Sequence, residues 1–94
     1  MPARRVIFSV HAIKRMFERG ISKSDVRAVL NQGRVIEDYP EDSPFPSRLL
    51  LGWSGFRPIH VVAADEPDTW NTIVITVYQP NESEWEAGFA RRRL

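Results

Sequence analysis

Cysteine is absent from this chain, which excludes a disulfide framework, a thiolate-held metal and a cysteine nucleophile. Histidine occurs twice, at His11 and His60, with neither a His-x-His nor a His-x-x-x-His spacing, so a zinc site lacks ligands. Glycine is sparse. The segment Gly52-Trp53-Ser54-Gly55 is not the long glycine-rich loop that cradles nucleotide phosphates, and no serine sits in a recognised nucleophile elbow. No apolar run reaches the length of a membrane span. The basic start Met1-Pro2-Ala3-Arg4-Arg5 precedes too few apolar residues for a signal-peptide core. The expectation is a cytoplasmic protein with no metal, no cofactor and no membrane partner.

What is present suits one folded domain. A chain of 94 residues, 43% of them hydrophobic, with three Trp, five Phe and two Tyr, can pack its own core without staples. The net charge of +1 conceals a segregated distribution. Arg4, Arg5, Lys14, Arg15 and Arg19 crowd the beginning against Glu18 alone, and Arg91-Arg92-Arg93 lie at the end. The acids gather at Glu37-Asp38, Glu41-Asp42, Asp65-Glu66, Asp68 and Glu82, Glu84, Glu86. A nearly neutral chain so divided can still present a basic face to phosphate.

The hydrophobic periods give two helices followed by strands. Ser9 is placed to cap a helix over residues 10–19, with Ala12, Ile13, Met16 and Phe17 as its apolar stripe and Gly20 just past its end. Ser22-Lys23-Ser24-Asp25 reads as a capping box with Asp replacing Glu. It opens a second helix to about Asn31, buried through Val26, Val29 and Leu30. Strands are predicted over 34–39, 48–53, 57–64 and 72–78, with Ser54-Gly55 as a hairpin turn. Asn81 and Glu84 are placed to cap a short last helix carrying Trp85 and Phe89. The result is an α+β domain: two N-terminal helices on a four-stranded, mainly antiparallel sheet with a short C-terminal helix.

Two sets of side chains carry chemistry. On a helical wheel His11, Arg15 and Arg19 fall within about 80° of one another, and Ile13 and Phe17 lie on the far side. Such a stripe, with Lys14 near it, can grip phosphates from a rigid element; it is equally the face of a solvated helix. In the strand around His60, residues 59, 61 and 63 project to one face and His60 to the other. Antiparallel pairing with the last strand brings His60 near Thr76 or Tyr78, as a general acid or base. The competing reading is a core histidine satisfied by a threonine hydroxyl or a backbone carbonyl. Trp85 and Phe89, four apart, suit core packing. Trp53 or Tyr39 can stack a base. The terminal arginines are either a solvated tail or further phosphate contacts.

The string His11-x-x-x-Arg15-x-x-x-Arg19-Gly20-Ile21-Ser22, with Asp25-Val26 and Gly33-x-Val35-Ile36-Glu37-x-Tyr39, resembles a family of domains of unknown function, number 4258 in its series. The likeness continues through Pro58-x-His60-Val61-Val62, Ile75-Thr76-Val77-Tyr78-x-Pro80 and Trp85 to the basic end. The family's element order is similar to that of RelE-like and BrnT-like ribonuclease toxins. Its members often look paired with a YgiT-type zinc-finger antitoxin, in the manner of the MqsR toxin. The resemblance implies the toxin of a type II toxin–antitoxin pair: a metal-independent endoribonuclease acting on RNA, including ribosome-bound mRNA.

On that expectation His11, His60, Arg15 and Tyr78 would be catalytic. Lys14, Arg19, Arg57, Thr76, Arg91 and Arg92 would bind RNA. The alternative is a non-catalytic protein-interaction or nucleic-acid-binding module with a toxin-like fold.

Overall fold

Ser9 joins a helix to the sheet through one hydroxyl. In the computed structural model, which describes residues 4–94, its Oγ accepts the Ala12 N–H at 3.0 Å and so caps helix α1, Val10–Arg19. The same hydroxyl donates to the Ile75 carbonyl at 2.9 Å, tying the helix start to the sheet. Gly20 ends α1 in the left-handed region, φ 63°, where a side chain is strained. Helix α2, Lys23–Gln32, begins with the expected capping box: Asp25 N–H donates to Ser22 Oγ at 3.0 Å and Ser22 N–H to Asp25 Oδ2 at 3.2 Å. That backbone N–H is the first reason the Asp25 carboxyl is held below its ordinary range.

The described residues form five strands, where the sequence predicts four. The additional one, β1, Arg5–Phe8, precedes Ser9 and pairs in parallel with the last strand, Arg5 opposite Asn71 and Phe8 opposite Val74. Four residues beginning on an arginine carry too little period to be read as a strand. The others are β2, Arg34–Tyr39; β3, Ser47–Ser54; β4, Arg57–Asp65; and β5, Asn71–Tyr78. The sheet order is β1-β5-β4-β3-β2, antiparallel except at β1–β5. The α+β class stands, with a mixed sheet.

Both helices lie on one face. Ala12, Met16, Ile21, Val26 and Val29 pack there against Leu50, Ile59, Val61, Ala63, Val74 and Val77. The expected stripe on α1 is narrower than its apolar content: Ala12 and Met16 are buried, while Ile13 is 47% and Phe17 89% exposed. α2 buries Val26 and Val29, as its spacing predicts. Gly52 of β3 makes the close approach possible. A Cβ there would stand 2.5 Å from Val29 Cγ2.

The short C-terminal helix is not formed. Residues 81–94 run as turns with one isolated bridge, Trp85 to Arg92, over the other face of the sheet. Asn81 Oδ1 does accept the Ser83 and Glu84 N–H groups at 3.0 Å. Beyond that turn, Gly88 and Phe89 take positive φ, 88° and 61°, which no helix accommodates. So short a segment cannot sustain a helix by propensity, and the burial of Trp85, 2% exposed, decides its path.

Two β-bulges set which side chains share the tail-covered face. In β2 the register shifts between Val35 and Glu37, so Glu37 pairs with Leu49 and Tyr39 with Ser47. In β5, Ile75 is the extra residue: Thr76 pairs with Val62 and Val74 with Ala63. The unbroken alternation read from the sequence along 72–78 is thereby interrupted, and Val74 joins Val77 in the helix-side core.

Candidate functional site

β1 ends opposite Val74, so residues 75–78 of β5 have no strand neighbour on that side, and α1 starts beside them. His11, in the first turn of α1, is exposed there, with its Nε2 3.0 Å from Thr76 Oγ1. Two residues further along β5, Tyr78 projects to the same face as Thr76, about 7 Å away along the strand. His11, Thr76 and Tyr78 thus flank one stretch of open strand edge.

The basic stripe runs from His11 down α1. Lys14 and Arg19 are exposed and make no ion pair among the described residues. Arg15 pairs with Glu18 at 3.3 Å, an exposed i,i+3 contact that an incoming phosphate can displace. Arg19 borders an open groove of about 610 Å³ that it shares with Phe56, Pro58 and Phe89.

His60 sits otherwise than an accessible base would. It is 0% exposed, with Trp85 at 4.5 Å and Tyr78 at 5.2 Å, ring centre to ring centre, both edge-to-face. Its Nε2 lies 2.8 Å from the Phe89 carbonyl oxygen, which can only accept, so Nε2 carries the proton. Nδ1 then accepts from the Tyr78 hydroxyl at 3.2 Å. Both ring nitrogens are occupied. Burial pushes the His60 pKa below 6.5, and it pushes the Tyr78 phenol above 10.0, so this pair is neutral at pH 7. The cross-strand placement of His60 beside Tyr78 agrees with the sequence reading; the alternative of a core histidine agrees in its backbone carbonyl, Phe89, while the hydroxyl is Tyr78's and not a threonine's.

Three other arginines occupy three different settings. Arg57 donates its guanidinium to the Arg19 and Gly20 carbonyls and to Gln79 Oε1, and so closes the C-terminus of α1. Arg92 forms a bidentate pair with Glu37, 2.9 and 3.2 Å, while lying over the Trp85 ring at 4.6 Å. That pairing holds the Glu37 carboxyl below its ordinary range. Tyr39 donates to the same carboxylate at 2.6 Å, and burial with that contact pushes its pKa up to about 12. Arg91, by contrast, points into no ion pair among the described residues. It lines a cavity with Arg34 and Trp53. Arg34 is a cavity-lining residue that the sequence does not announce, since an arginine after a helix-ending glycine has no local signature. Among the described residues no three His, Cys, Asp or Glu side chains gather as a metal would require.

A family model for the domain of unknown function DUF4258 matches residues 8–79, from the end of β1 through β5. The chain belongs to the DUF4258 family. No curated protein and no solved structure matches it. The DUF4258 match contains the α1 stripe, Arg57, His60, Thr76 and Tyr78. The segment that seals His60, with Trp85, Phe89, Arg91 and Arg92, lies beyond it.

Proposed function

We propose that this DUF4258 protein is the toxin of a type II toxin–antitoxin pair and cleaves RNA without a metal. One observation carries the proposal: His11 stands exposed at an open strand edge, 3.0 Å from Thr76, at the head of a stripe of Lys14, Arg15 and Arg19. In this reading His11 takes the proton of a ribose 2′-OH as that oxygen attacks the adjacent phosphorus. Arg15 and Arg19 stabilise the charge growing on the phosphoryl oxygens. Tyr78, kept protonated by its burial, turns its hydroxyl proton from His60 Nδ1 to the departing 5′ oxygen. The products are a 2′,3′-cyclic phosphate and a free 5′-hydroxyl. His60 is a positioning residue in this scheme.

The patch Val10, Ile13 and Phe17 on α1, 86%, 47% and 89% exposed, supports a protein partner such as a small antitoxin of the YgiT zinc-finger type. Incubation with RNA and with programmed ribosomes in EDTA tests the activity. Cyclic-phosphate ends that vanish in His11→Asn are the expected result, and intact RNA in both assays would refute the proposal.

A second reading has its own support. With both His60 nitrogens occupied, His11 is the one exposed histidine, and a basic stripe can bind without cutting. A non-catalytic RNA-binding or protein-interaction module would bind RNA equally well with His11→Asn and would leave growth unaffected on overexpression.

A further inference from the structure

A second open site lies at the other end of the sheet. β2 begins with Arg34 opposite Leu51, so residues 52–54 of β3 have no strand neighbour on that side. A cavity of about 690 Å³ opens there, between the last turns of α2 and the C-terminal segment. Volumes of this order are typical of small-ligand sites. Its walls are Ala28 and Gln32 of α2, Arg34, Gly52, Trp53 and Arg91.

Each of these groups has a reason to be accessible. The Gly52–Val29 approach brings α2 against β3 and leaves no side chain to fill the floor. Trp53 is 48% exposed, yet the Phe89 ring braces it edge-on at 6.1 Å, which fixes the indole while leaving it open. Arg34 and Arg91 come from distant parts of the chain and are exposed, with no carboxylate pairing either one among the described residues. Glu86 also lines the cavity, so two guanidinium groups face one carboxylate. A braced, exposed indole beside two guanidinium groups in excess over one carboxylate matches a ligand with a flat ring and a phosphate. Three unpaired residues are too few to template an added peptide strand.

We propose that this cavity binds a nucleoside phosphate, with its base stacked on Trp53 and its phosphate held by Arg34 and Arg91. The ligand is a free nucleotide or one unit of single-stranded RNA. The inference rests on the RNA reading given above and adds a base-contacting site to it. That site is separate from the α1 stripe, so the two can fail separately.

The test uses the full ¹⁵N-labelled protein and four probes: 5′-mononucleotides, a 2′-O-methyl RNA that cannot be cleaved, inorganic phosphate and an acidic peptide. Nucleotide or RNA should shift the Trp53 indole N–H and the Gly52 and Gly88 amides. Trp53→Ala, and separately an Arg34→Gln, Arg91→Gln pair, should each weaken RNA binding roughly tenfold. The arginine pair should also lower the salt dependence of that binding. RNA that shifts only α1, or that binds both variants as it binds the wild type, overturns the inference and leaves the RNA reading intact. Inorganic phosphate binding as tightly as nucleotides, or the peptide displacing RNA from Trp53, also overturns it. Trp53 shifts without any cleavage of natural RNA uphold the cavity and remove the ribonuclease. RNA that binds only as a polymer, with free nucleotides inert, assigns the site to the strand; equal binding of both assigns it to the nucleotide.

Discussion

The two histidines have opposite environments, and substitutions should separate them. His11 is exposed and needed by nothing in the core, so His11→Asn should leave the melting temperature unchanged while lowering RNA cleavage about 10²–10⁴-fold. His60→Gln should do the reverse: it loosens two buried hydrogen bonds and lowers stability by about 1–3 kcal/mol in thermal denaturation. A destabilised His11→Asn, or a His60→Gln as stable as wild type, would contradict these assignments. Gly52→Ala gives a packing test. Its Cβ would stand 2.5 Å from a buried β-branched Val29, and such overpacking costs about 1–3 kcal/mol. Gly55→Ala, at φ 61° with no atom within 4 Å, carries backbone strain and no clash. The pairing of His60 with Tyr78 was legible because strand alternation puts both on one face. The bond from His60 to Phe89 was not, since it joins residues 29 apart through a segment whose local pattern suggests a helix.

Among the elements, the strands and the first two helices follow from local rules: a serine cap, a capping box, alternation and turn residues. What escapes is whatever one element imposes on another. β1 is too short to show a period, and it exists because β5 offers it an edge. The bulges at Ile36 and Ile75 leave no mark in the sequence, yet they decide that Glu37 and Thr76 share the tail-covered face. The C-terminal segment is the largest departure, and Trp85 is its anchor. With the indole between His60 and the Arg92 guanidinium, Trp85→Ala should destabilise the protein by about 3–5 kcal/mol. It should also raise amide exchange across residues 81–94 before the helices lose protection. Arg92→Gln removes the exposed-side pair with Glu37 and should cost far less, about 1 kcal/mol or under. Equal effects of the two substitutions would show that charge, not the buried ring, holds the segment.

At the scale of the whole molecule, the described residues form two layers under different electrostatic control. The helix side is held by apolar packing, and its pH response comes from the Asp25 cap. The tail side is anchored by the Trp85 ring but also contacts ionisable groups, His60 and Glu37, and its pH response has a definite sign. Burial keeps His60 below 6.5, so between 6.5 and its lowered value the unfolded chain binds a proton that the folded protein refuses. The stability it contributes is complete above pH 6.5 and declines as pH falls through that interval. Glu37, held below 4.5 chiefly by Arg92, acts in the same direction in a lower window: its contribution is complete above 4.5 and is lost on further acidification. Asp25, lowered from 3.8 by its capping contacts, adds to that lower window from the helix side. The melting temperature should therefore fall in two stages, the first beginning near 6.5 and the second below 4.5, with each proton worth about 1.4 kcal/mol per pH unit at most. His60→Gln should start from a lower melting temperature yet lose the first stage. Glu37→Gln should keep the first stage and shrink the second without removing it, since Asp25 still titrates. Circular dichroism melts from pH 3 to 8 on the three proteins measure this directly. A first stage that survives in His60→Gln would mean that another group, not the sealed histidine, couples the tail to acid.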